Sequence, residues 1–515
     1  MEHYVNEKIV MEFYLQQIEE DKIIFLQGHD SRKQQINELI EEMIREETMN
    51  RKINIACKLW KSLFEASMSY ISPEKQGYDK LFQYFDAYVE FEELIFASDS
   101  FYRDHTLHCI WVYFLGEYLR RKDEFADLFV DEQKELNLLE VIPTALSQLQ
   151  MLKEEDADKF SDLVEMVQNI MKNDEAVRCV AALTHDLGYP LKKIEKINKS
   201  MKKVLPFFAI HDFEDFSFEY GNIQQEFVSQ FIDFISRSLA INIDGGVSKQ
   251  WLAIVEKLFV VNKFGNVVGV EEEAIRNLSE EERAILAASL DVNVSFASPV
   301  ATRLSFYNDF EEYKHGIMSA FLLCKNLRAF QQVDYMQDGS GIHLTGRYPA
   351  KTVLSLQRIL ASISNHTNDM FRITTIDPDT FLTFVDELEE FSRISRASQN
   401  REFVEEFCDT ALYMEDGWLH IDFEFNNASL DNLNPEVSFK GRCKRFLTLF
   451  DIKELSNNLK ICVTCQGKLP TDQNTYQLKI AHRYADISIN GESVNIPEYL
   501  KSDQFFSREE YEALA

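Results

Sequence analysis

The residues in this chain best suited to chemistry are a histidine and an aspartate that stand side by side at the end of an apolar helical run. The run reads "VRCVAALTHDLGYP" (177–190) and stops at His185 and Asp186, before Gly, Tyr and Pro. A hydrogen-bonded pair at a helix end would explain these residues as well as a metal site would. The choice depends on further ligands, because a transition metal needs several imidazole or carboxylate donors.

Four further residues of metal-binding type lie where an apolar helical run meets polar residues. Taken singly, a histidine on an apolar face is more often a hydrogen-bonded core residue than a ligand. A buried carboxylate is harder to explain in that way, because it is costly unless it is paired or bound to a metal. The four are His108 in "FYRDHTLHCIWVYFLG" (101–116), His315 in "YKHGIMSAFLL" (313–323), His366 in "LQRILASISNHT" (356–367) and Asp386 in "DPDTFLTFVDELEEFSR" (377–393).

The six residues together exceed what one ion needs. A tetrahedral ion takes four ligands, whereas the set offers four His and two Asp. The sequence therefore favours a centre of two divalent transition-metal ions, with Mn, Fe, Co, Ni and Mg left open. A purely structural helical protein with core histidines remains the alternative.

The order of these residues resembles the H…HD…D signature of the HD-domain metal-dependent phosphohydrolase superfamily. The extra His315 and His366 resemble the additional ligands of its two-metal members, which include the cyclic-nucleotide phosphodiesterases and the HD-GYP proteins. The contexts "YRDHTLH", "HDLGYP", "KHGIMSA" and "FVDELEEFSR" are similar to those of a bacterial subgroup. The resemblance covers roughly residues 99–395.

The resemblance implies a role for each residue. Asp186 would bridge two metals and serve catalysis, and His105 would bind substrate or transfer a proton, or else hold a neighbouring ligand in place. One metal would be held by His108, His185, Asp186 and Asp386, and the other by Asp186, His315 and His366.

The segment after the HD pair departs from three better-known branches of the superfamily. It reads "LGYPLKKIEK" (187–196) and lacks the further His and Glu that deoxynucleotide triphosphohydrolases carry there. It also lacks the acidic residues of the stringent-response hydrolases. Its "GYP" (188–190) does not stand where the HD-GYP proteins have that motif. The resemblance therefore supports the superfamily better than any one substrate.

A basic run, "LKKIEKINKSMKKVL" (191–205), follows the HD pair directly in an otherwise acidic chain. Its lysines fall on one helical stripe and its apolar residues on another, which is typical of a solvated amphipathic helix. The position also suits phosphate binding, so Lys192 and Lys196 are candidate contacts. Arg103 in "YRDH" is a further one, because a guanidinium can grip phosphate with two hydrogen bonds.

These features predict metal-assisted hydrolysis of phosphoester or phosphoanhydride bonds in nucleotides. A (deoxy)nucleoside triphosphohydrolase stands slightly ahead of a cyclic (oligo)nucleotide phosphodiesterase. The competing class is a non-catalytic nucleotide or metal sensor that acts through partner proteins. Bacterial HD proteins often serve nucleotide signalling or antiviral defence, which keeps such a role open here.

The composition limits the partners. The net charge is −32 over 515 residues, which disfavours nucleic acid because a nucleic-acid site needs a basic face. The N-terminus has no apolar signal region, and no apolar run reaches the length of a membrane span. We therefore expect a cytoplasmic protein without a membrane segment and with reduced cysteines. A small nucleotide is the expected substrate, and a homo-oligomer remains open.

Periodicity predicts a mainly α protein with a small β-rich, α+β domain at its C-terminal end. Long helical runs fill residues 1–98 and an HD domain at 99–398, which carries an acidic insertion at about 206–300. From 399 to 515 the pattern changes: "GWLHIDFEF" (417–425) alternates strictly, and "DISINGESVNI" (486–496) carries an Asn-Gly hairpin signal. The "CVTC" (462–465) lacks the second cysteine pair of a zinc site, so we expect structural cysteines.

Overall fold

The fold is described from a computed structural model of the chain. The structure describes residues 3–73, 77–96, 101–129, 133–149, 154–210, 214–217, 219–244, 246, 248–261, 267–288, 290–331, 350–391, 393–395, 408–425, 435–468 and 474–494.

Helices make up most of the described chain, as the sequence predicts. They are α1 (Glu7–Glu19), α2 (Asp30–Arg45), α3 (Met49–Ile71), α4 (Asp79–Phe96), α5 (His105–Arg121), α6 (Gln133–Gln148), α7 (Glu154–Thr184), α8 (Tyr189–Val204), α9 (Asn222–Ile235), α10 (Lys249–Leu258), α11 (Glu272–Arg276), α12 (Glu280–Ala287), α13 (Val300–Glu311), α14 (His315–Asn326), α15 (Arg328–Gln331), α16 (Ala350–Asn365), α17 (Phe381–Leu388) and α18 (Pro435–Leu449).

The strands concentrate in the C-terminal region, which confirms the predicted fold class. They are β1 (Tyr4–Val5), β2 (Phe101–Arg103), β3 (Ser238–Asp244), β4 (Phe259–Val261), β5 (Val267–Val270), β6 (Asp291–Ala297), β7 (Arg393–Ser395), β8 (Cys408–Glu415), β9 (Trp418–Phe425), β10 (Ile461–Gly467), β11 (Thr475–Ala481), β12 (Tyr484–Ile489) and β13 (Glu492–Val494).

A seven-stranded mixed sheet, ordered β1-β8-β9-β10-β11-β12-β13, forms the C-terminal region. Only β9 and β10 pair in parallel among these strands, with Val463 opposite Ile421. Side chains of β9 alternate between buried and half-buried, because successive residues of a strand point to opposite faces. Asn490 and Gly491 have φ of 54° and 82° and close the β12–β13 hairpin, as their sequence signal predicts.

One continuous apolar core joins the helices to this sheet. It includes side chains from α1 to α5, the C-terminal half of α7, α14, α16 and α17, and the buried face of the sheet. The short strand β1 pairs with β8, so the start of the chain completes the C-terminal sheet. This core contains residues from all three predicted ranges, 1–98, 99–398 and 399–515. The division of the chain at these boundaries stays a prediction.

A second, smaller core lies in the region of the predicted insertion. It joins α6 and the N-terminal half of α7 to α10, α11 and α12. Among the helices that the structure describes, none combines the length and the apolarity of a membrane-spanning segment. The expectation of a cytoplasmic protein stays a prediction.

Two glycines allow the helices of the main core to approach closely. A Cβ on Gly188, after the HD pair, would lie 2.3 Å from the carbonyl oxygen of His315 at the start of α14. A Cβ on Gly316 would lie 2.5 Å from the carbonyl oxygen of Ile363 near the end of α16. Both contacts are too short for any larger residue, so glycine lets the ends of α7, α14 and α16 meet.

Candidate metal centre

Helix ends and one buried helix bring the six predicted metal ligands together. His108 lies in α5, whose first turn is capped by the Asp104 carboxylate through the N–H groups of Thr106 and Leu107. The other five are His185 and Asp186 directly after α7, His315 as the first residue of α14, His366 directly after α16, and Asp386 within α17.

The first group of donor atoms contains His108, His185 and Asp386. His108 Nε2 lies 2.8 Å from Asp386 Oδ1 and 3.3 Å from His185 Nε2. His185 Nε2 lies 3.8 Å from the same Asp386 oxygen. Two imidazole nitrogens and a carboxylate oxygen therefore converge on one point, close enough together to hold a metal ion.

The second group contains Asp186, His315 and His366. Asp186 Oδ1 lies 3.3 Å from His315 Nε2 and 3.6 Å from His366 Nε2. The other oxygen of the same carboxylate, Oδ2, lies 3.5 Å from His185 Nε2 and 3.7 Å from His108 Nε2. Each oxygen of Asp186 thus faces a different group of histidines.

Hydrogen bonds at the opposite ring nitrogens orient three of these histidines. The Nδ1–H of His185 donates to the carbonyl of Ala182 at 2.7 Å, and that of His366 donates to the carbonyl of Ile363. The Nδ1–H of His108 donates to the Glu389 carboxylate, which is fully buried. Each Nε2 therefore keeps its lone pair for the centre of the cluster, as in known metal sites.

A buried nitrogen without a hydrogen bond tests whether the cluster fits a metal. Within the described residues, His366 Nε2 is shielded from solvent and has no hydrogen-bond partner. Such an atom is rare in folded proteins unless it binds an ion or a water. Its neighbours are further imidazoles and a carboxylate, the donors that divalent transition metals prefer, so the residues fit a bound metal.

The pKa shifts of the two carboxylates and of His315 favour forms that can bind metal. Burial alone would lower the pKa of His185, but Asp186 and Cys109 hold it well above its usual range, so a metal bound there would displace a proton. Burial alone would raise the pKa of Asp186, but His185 and the neighbouring imidazoles of His315 and His366 hold it well below its usual range. Burial also opposes ionisation of Asp386, whose pKa His108 and His185 likewise hold well below its usual range. Burial lowers the pKa of His315 to about 4. The carboxylates are therefore ionised, and His315 is neutral at pH 7.

Among the described residues, two side chains of the cluster are partly exposed to solvent. The side chains of His108 and His185 are fully buried, whereas those of Asp386 and His315 are 13% and 25% exposed. Among these residues, solvent therefore meets the cluster at Asp386 on α17 and His315 on α14.

His105 lies beside the cluster, one helical turn before His108. Its Nδ1–H donates to the buried Glu92 carboxylate at 2.6 Å, and its Nε2 lies 3.9 Å from Asp186 Oδ2. The ring of Tyr189 packs 4.0 Å from the His105 ring and 5.2 Å from the His315 ring, measured between centroids. The ammonium group of Lys193 lies 4.4 Å from the centre of the Tyr189 ring.

Of the three predicted phosphate contacts, the structure describes the side chain of one. Lys192 is exposed, and its ammonium group donates to the carbonyl of Glu312 at 3.4 Å, close to the start of α14. The side chains of Lys196 and Arg103 lie outside the described residues. Their role as phosphate contacts stays a prediction.

Sequence reasoning missed the residues that support the cluster. Glu389 stands three residues after Asp386, a helical spacing that could have pointed to it. Glu92 is an acidic residue within the aromatic run of α4, and only the fold brings it to His105. The lysine stripe pointed to the basic helix but not to Lys193. The neighbour of Lys193, Tyr189, belongs to the "GYP" segment.

The cysteines of the sheet do not form a comparable group. Cys462 and Cys465 are three residues apart on β10, so their side chains lie on opposite faces. Burial raises the pKa of Cys462 to about 11 and that of Cys465 to about 12. Cys109 does lie near His185, but its sulfur is 3.8 Å from Nδ1, the nitrogen that already donates to Ala182.

The chain shows no significant match to a family model, to a curated protein or to a solved structure. The structure itself supports a helical protein with a buried His–Asp cluster that can bind metal and is compatible with an HD-type site.

Proposed function

We propose that this protein is an HD-type metal-dependent phosphohydrolase that acts on nucleotides, with (deoxy)nucleoside triphosphates as the preferred substrates. The observation that carries the proposal is the position of Asp186, whose two oxygens face different groups of histidines. A carboxylate shared in this way is suited to two metal ions held a short distance apart, the arrangement that two-metal phosphohydrolases use.

The group of His108, His185 and Asp386 and the group of Asp186, His315 and His366 would each hold a divalent cation, which would supply Lewis-acid polarisation and a lowered pKa of water. The chain supplies the rigidity. Asp186 fixes the spacing between the groups, and Glu389 holds His108 through its Nδ1–H. The side chains of His108 and His185 are fully buried, whereas Asp386 on α17 and His315 on α14 are partly exposed, so among the described residues solvent meets the cluster at these two side chains.

His105 is the proposed proton donor to the leaving oxygen. The Glu92 carboxylate fixes its tautomer and orientation by accepting from Nδ1–H, which leaves Nε2 directed toward Asp186 and the reacting centre. A histidine held by a carboxylate in this way is a common general acid, because the carboxylate stabilises its protonated form.

Lys193 is the proposed phosphate contact at the mouth of the site. Its ammonium group lies over Tyr189, which touches both His105 and His315, so its charge lies close to the proposed reacting groups. A cation in this position can neutralise charge on phosphate oxygens. The several phosphates of a nucleoside triphosphate suit such a contact better than the single phosphate of a cyclic nucleotide.

The direct test is a panel of NTPs, dNTPs and cyclic nucleotides with Mn²⁺, Mg²⁺ or Co²⁺, with products separated by chromatography and identified by mass. We expect release of inorganic triphosphate, pyrophosphate or phosphate from a triphosphate, and none from His185→Ala. His420→Ala, on the C-terminal sheet, is the matched control and should keep full activity. Ring opening of a cyclic nucleotide alone would identify a phosphodiesterase instead.

A second comparison tests the phosphate contact. Lys193→Met should lower kcat/KM by about tenfold or more, since a hydrogen bond to a charged group is worth that much. Lys192→Met removes the adjacent, exposed ammonium group from the same helix and should have a smaller effect. Equal effects of the two variants would assign the lysines to general attraction of anions.

No turnover of any nucleotide, combined with bound metal in the purified protein, would favour a metal sensor over an enzyme.

A further inference from the structure

A cavity whose lining contains none of the residues of the His–Asp cluster lies between the main core and the region of the predicted insertion. Its volume is about 350 Å³, and it is bordered by α7, α13, α16 and the junction between α9 and β3. Pockets that bind small molecules in proteins typically have volumes from about 300 to 1,000 Å³. The cavity is therefore large enough for a small ligand.

One wall of this cavity is apolar. Side chains from five elements or connecting segments contribute to it, and those of Ile170, Ile235 and Phe306 are buried. Phe371 and Leu354 complete the wall. Two aromatic rings and three aliphatic side chains suit a flat or aliphatic ligand body, whose burial is favourable.

The other wall carries two guanidinium groups and two amides. Arg358 donates through Nε to Asp379 at 3.2 Å, and its terminal nitrogens make no hydrogen bond or ion pair within the described residues, so they are available as donors. Arg237 is held by Asp233 through Nε and one terminal nitrogen. Gln357 donates to the carbonyl groups of Ile235 and Arg237, which leaves its amide oxygen to accept.

The charge of this lining contrasts with that of the whole chain. Two arginines and one aspartate line the cavity, with Asp233 paired to Arg237 beside the lining, whereas the chain has a net charge of −32. The side chain of Asp379 is 57% exposed, while that of Arg358 is only 16% exposed. A buried anion would thus meet a guanidinium group whose charge is partly shielded from water, where such contacts are strong.

We propose that this cavity binds a small amphipathic organic anion, with an aromatic or aliphatic body against the apolar wall and one anionic group at Arg358 and Arg237. Its lining contains no histidine, cysteine or predicted metal ligand, so it is a binding site and not a second reaction centre. Its residues on α16 include Leu354, Arg358 and Ala361, a different face from that of Ile359 and Ile363, which are buried in the main core. The proposal does not depend on the proposed hydrolase activity.

The test uses 8-anilinonaphthalene-1-sulfonate, an aromatic body with one anionic group, titrated into the full-length protein and followed by its fluorescence. We expect saturable binding of one molecule. Arg358→Met should weaken it by about tenfold, because a charge-assisted hydrogen bond is lost. Ala361→Phe and Thr302→Leu, which fill the cavity from two different helices, should each weaken it further. The neutral N-phenyl-1-naphthylamine should bind more weakly than the sulfonate.

A control variant addresses the exposed apolar residues that follow α8. Phe207 and Phe208 are 90% and 71% exposed, so the dye could also bind there. The double variant Phe207→Ser, Phe208→Ser should keep the saturable binding. Loss of binding in this variant, with wild-type binding in the cavity variants, would overturn the proposal, as would the absence of saturable binding. Equal binding of the neutral dye, or no effect of Arg358→Met, would overturn the proposal that the arginines bind an anionic group of the ligand. Circular dichroism of each variant confirms that it is folded.

Discussion

The His–Asp cluster and the cysteines of the C-terminal sheet are both buried, and both consist of residue types that bind transition metals. In the cluster, several Nε2 atoms and carboxylate oxygens converge, and hydrogen bonds at Nδ1 hold the rings. On the sheet, Cys462 and Cys465 point to opposite faces, and burial keeps the pKa of each thiol high. The difference shows that converging lone pairs, and not residue type or burial, define a candidate metal site.

The strongest way to break this comparison is to remove the shared carboxylate. Asp186→Asn keeps the side-chain size but removes the charge that faces both groups of histidines. We expect loss of bound metal by mass spectrometry and a fall in kcat on the order of 10³-fold or more, as for other residues central to catalysis. Asp422→Asn, on the sheet, is the control. Full metal content in the Asp186 variant would contradict the shared role.

Removal of the carboxylate that orients His108 should have the next largest effect. Glu389→Gln removes the negative charge that accepts from His108 Nδ1–H, so metal affinity should fall by about 10- to 100-fold. Glu387→Gln lies two residues away and pairs with Arg445 at the surface, so it should leave metal affinity unchanged. Affinity is measured by isothermal titration with Mn²⁺. Wild-type metal affinity in the Glu389 variant would show that the orientation of His108 by Glu389 does not distinguish the cluster from the sheet cysteines.

The close approach of the helices can be tested apart from the ligands themselves. Gly316→Ala places a methyl group against Ile363 and His366, and overpacking of this kind costs about 1–3 kcal/mol. Its thermal unfolding midpoint and metal affinity should both fall. Gly441→Ala is matched to it, because a Cβ there meets no atom within 4 Å. That control lies within α18 and should be neutral or slightly stabilising, as Ala is the better helix former.

The smallest effect is expected on the sheet. Cys465→Ala should leave the metal content unchanged and cost about 1 kcal/mol of stability, an ordinary value for a buried substitution. Metal analysis and denaturant unfolding of the same preparation measure both quantities. A drop in bound metal would show that the sheet cysteines belong to a site after all.

The sequence indicated the metal-binding residues of the cluster better than the residues that orient them. His108, His315, His366 and Asp386 each lie at the predicted place in a helix, because apolar periodicity and a change to polar residues mark helix faces and ends. Glu389 stands one helical turn after Asp386, a spacing that could have pointed to it, whereas Glu92 is an ordinary acidic residue in sequence that only packing brings to His105. Long-range contacts of this kind have no local signal.

The basic helix shows the same limit. Its period predicted an amphipathic α8, which the structure contains. However, the apolar stripe is not packed inward: Ile197, Met201 and Val204 are 38–49% exposed. A hydrophobic pattern tells which residues share a face, but the surrounding fold decides what covers that face.

The pairing of β1 with β8 has a consequence for folding during synthesis. Tyr4 lies opposite Ala411, so the ribosome must make about four hundred further residues before this edge of the sheet can close. Contacts of such long sequence separation form slowly, because a large loop must be closed first. β1 therefore cannot pair until β8 has been synthesised, by which time α1 to α17 have left the ribosome or are leaving it.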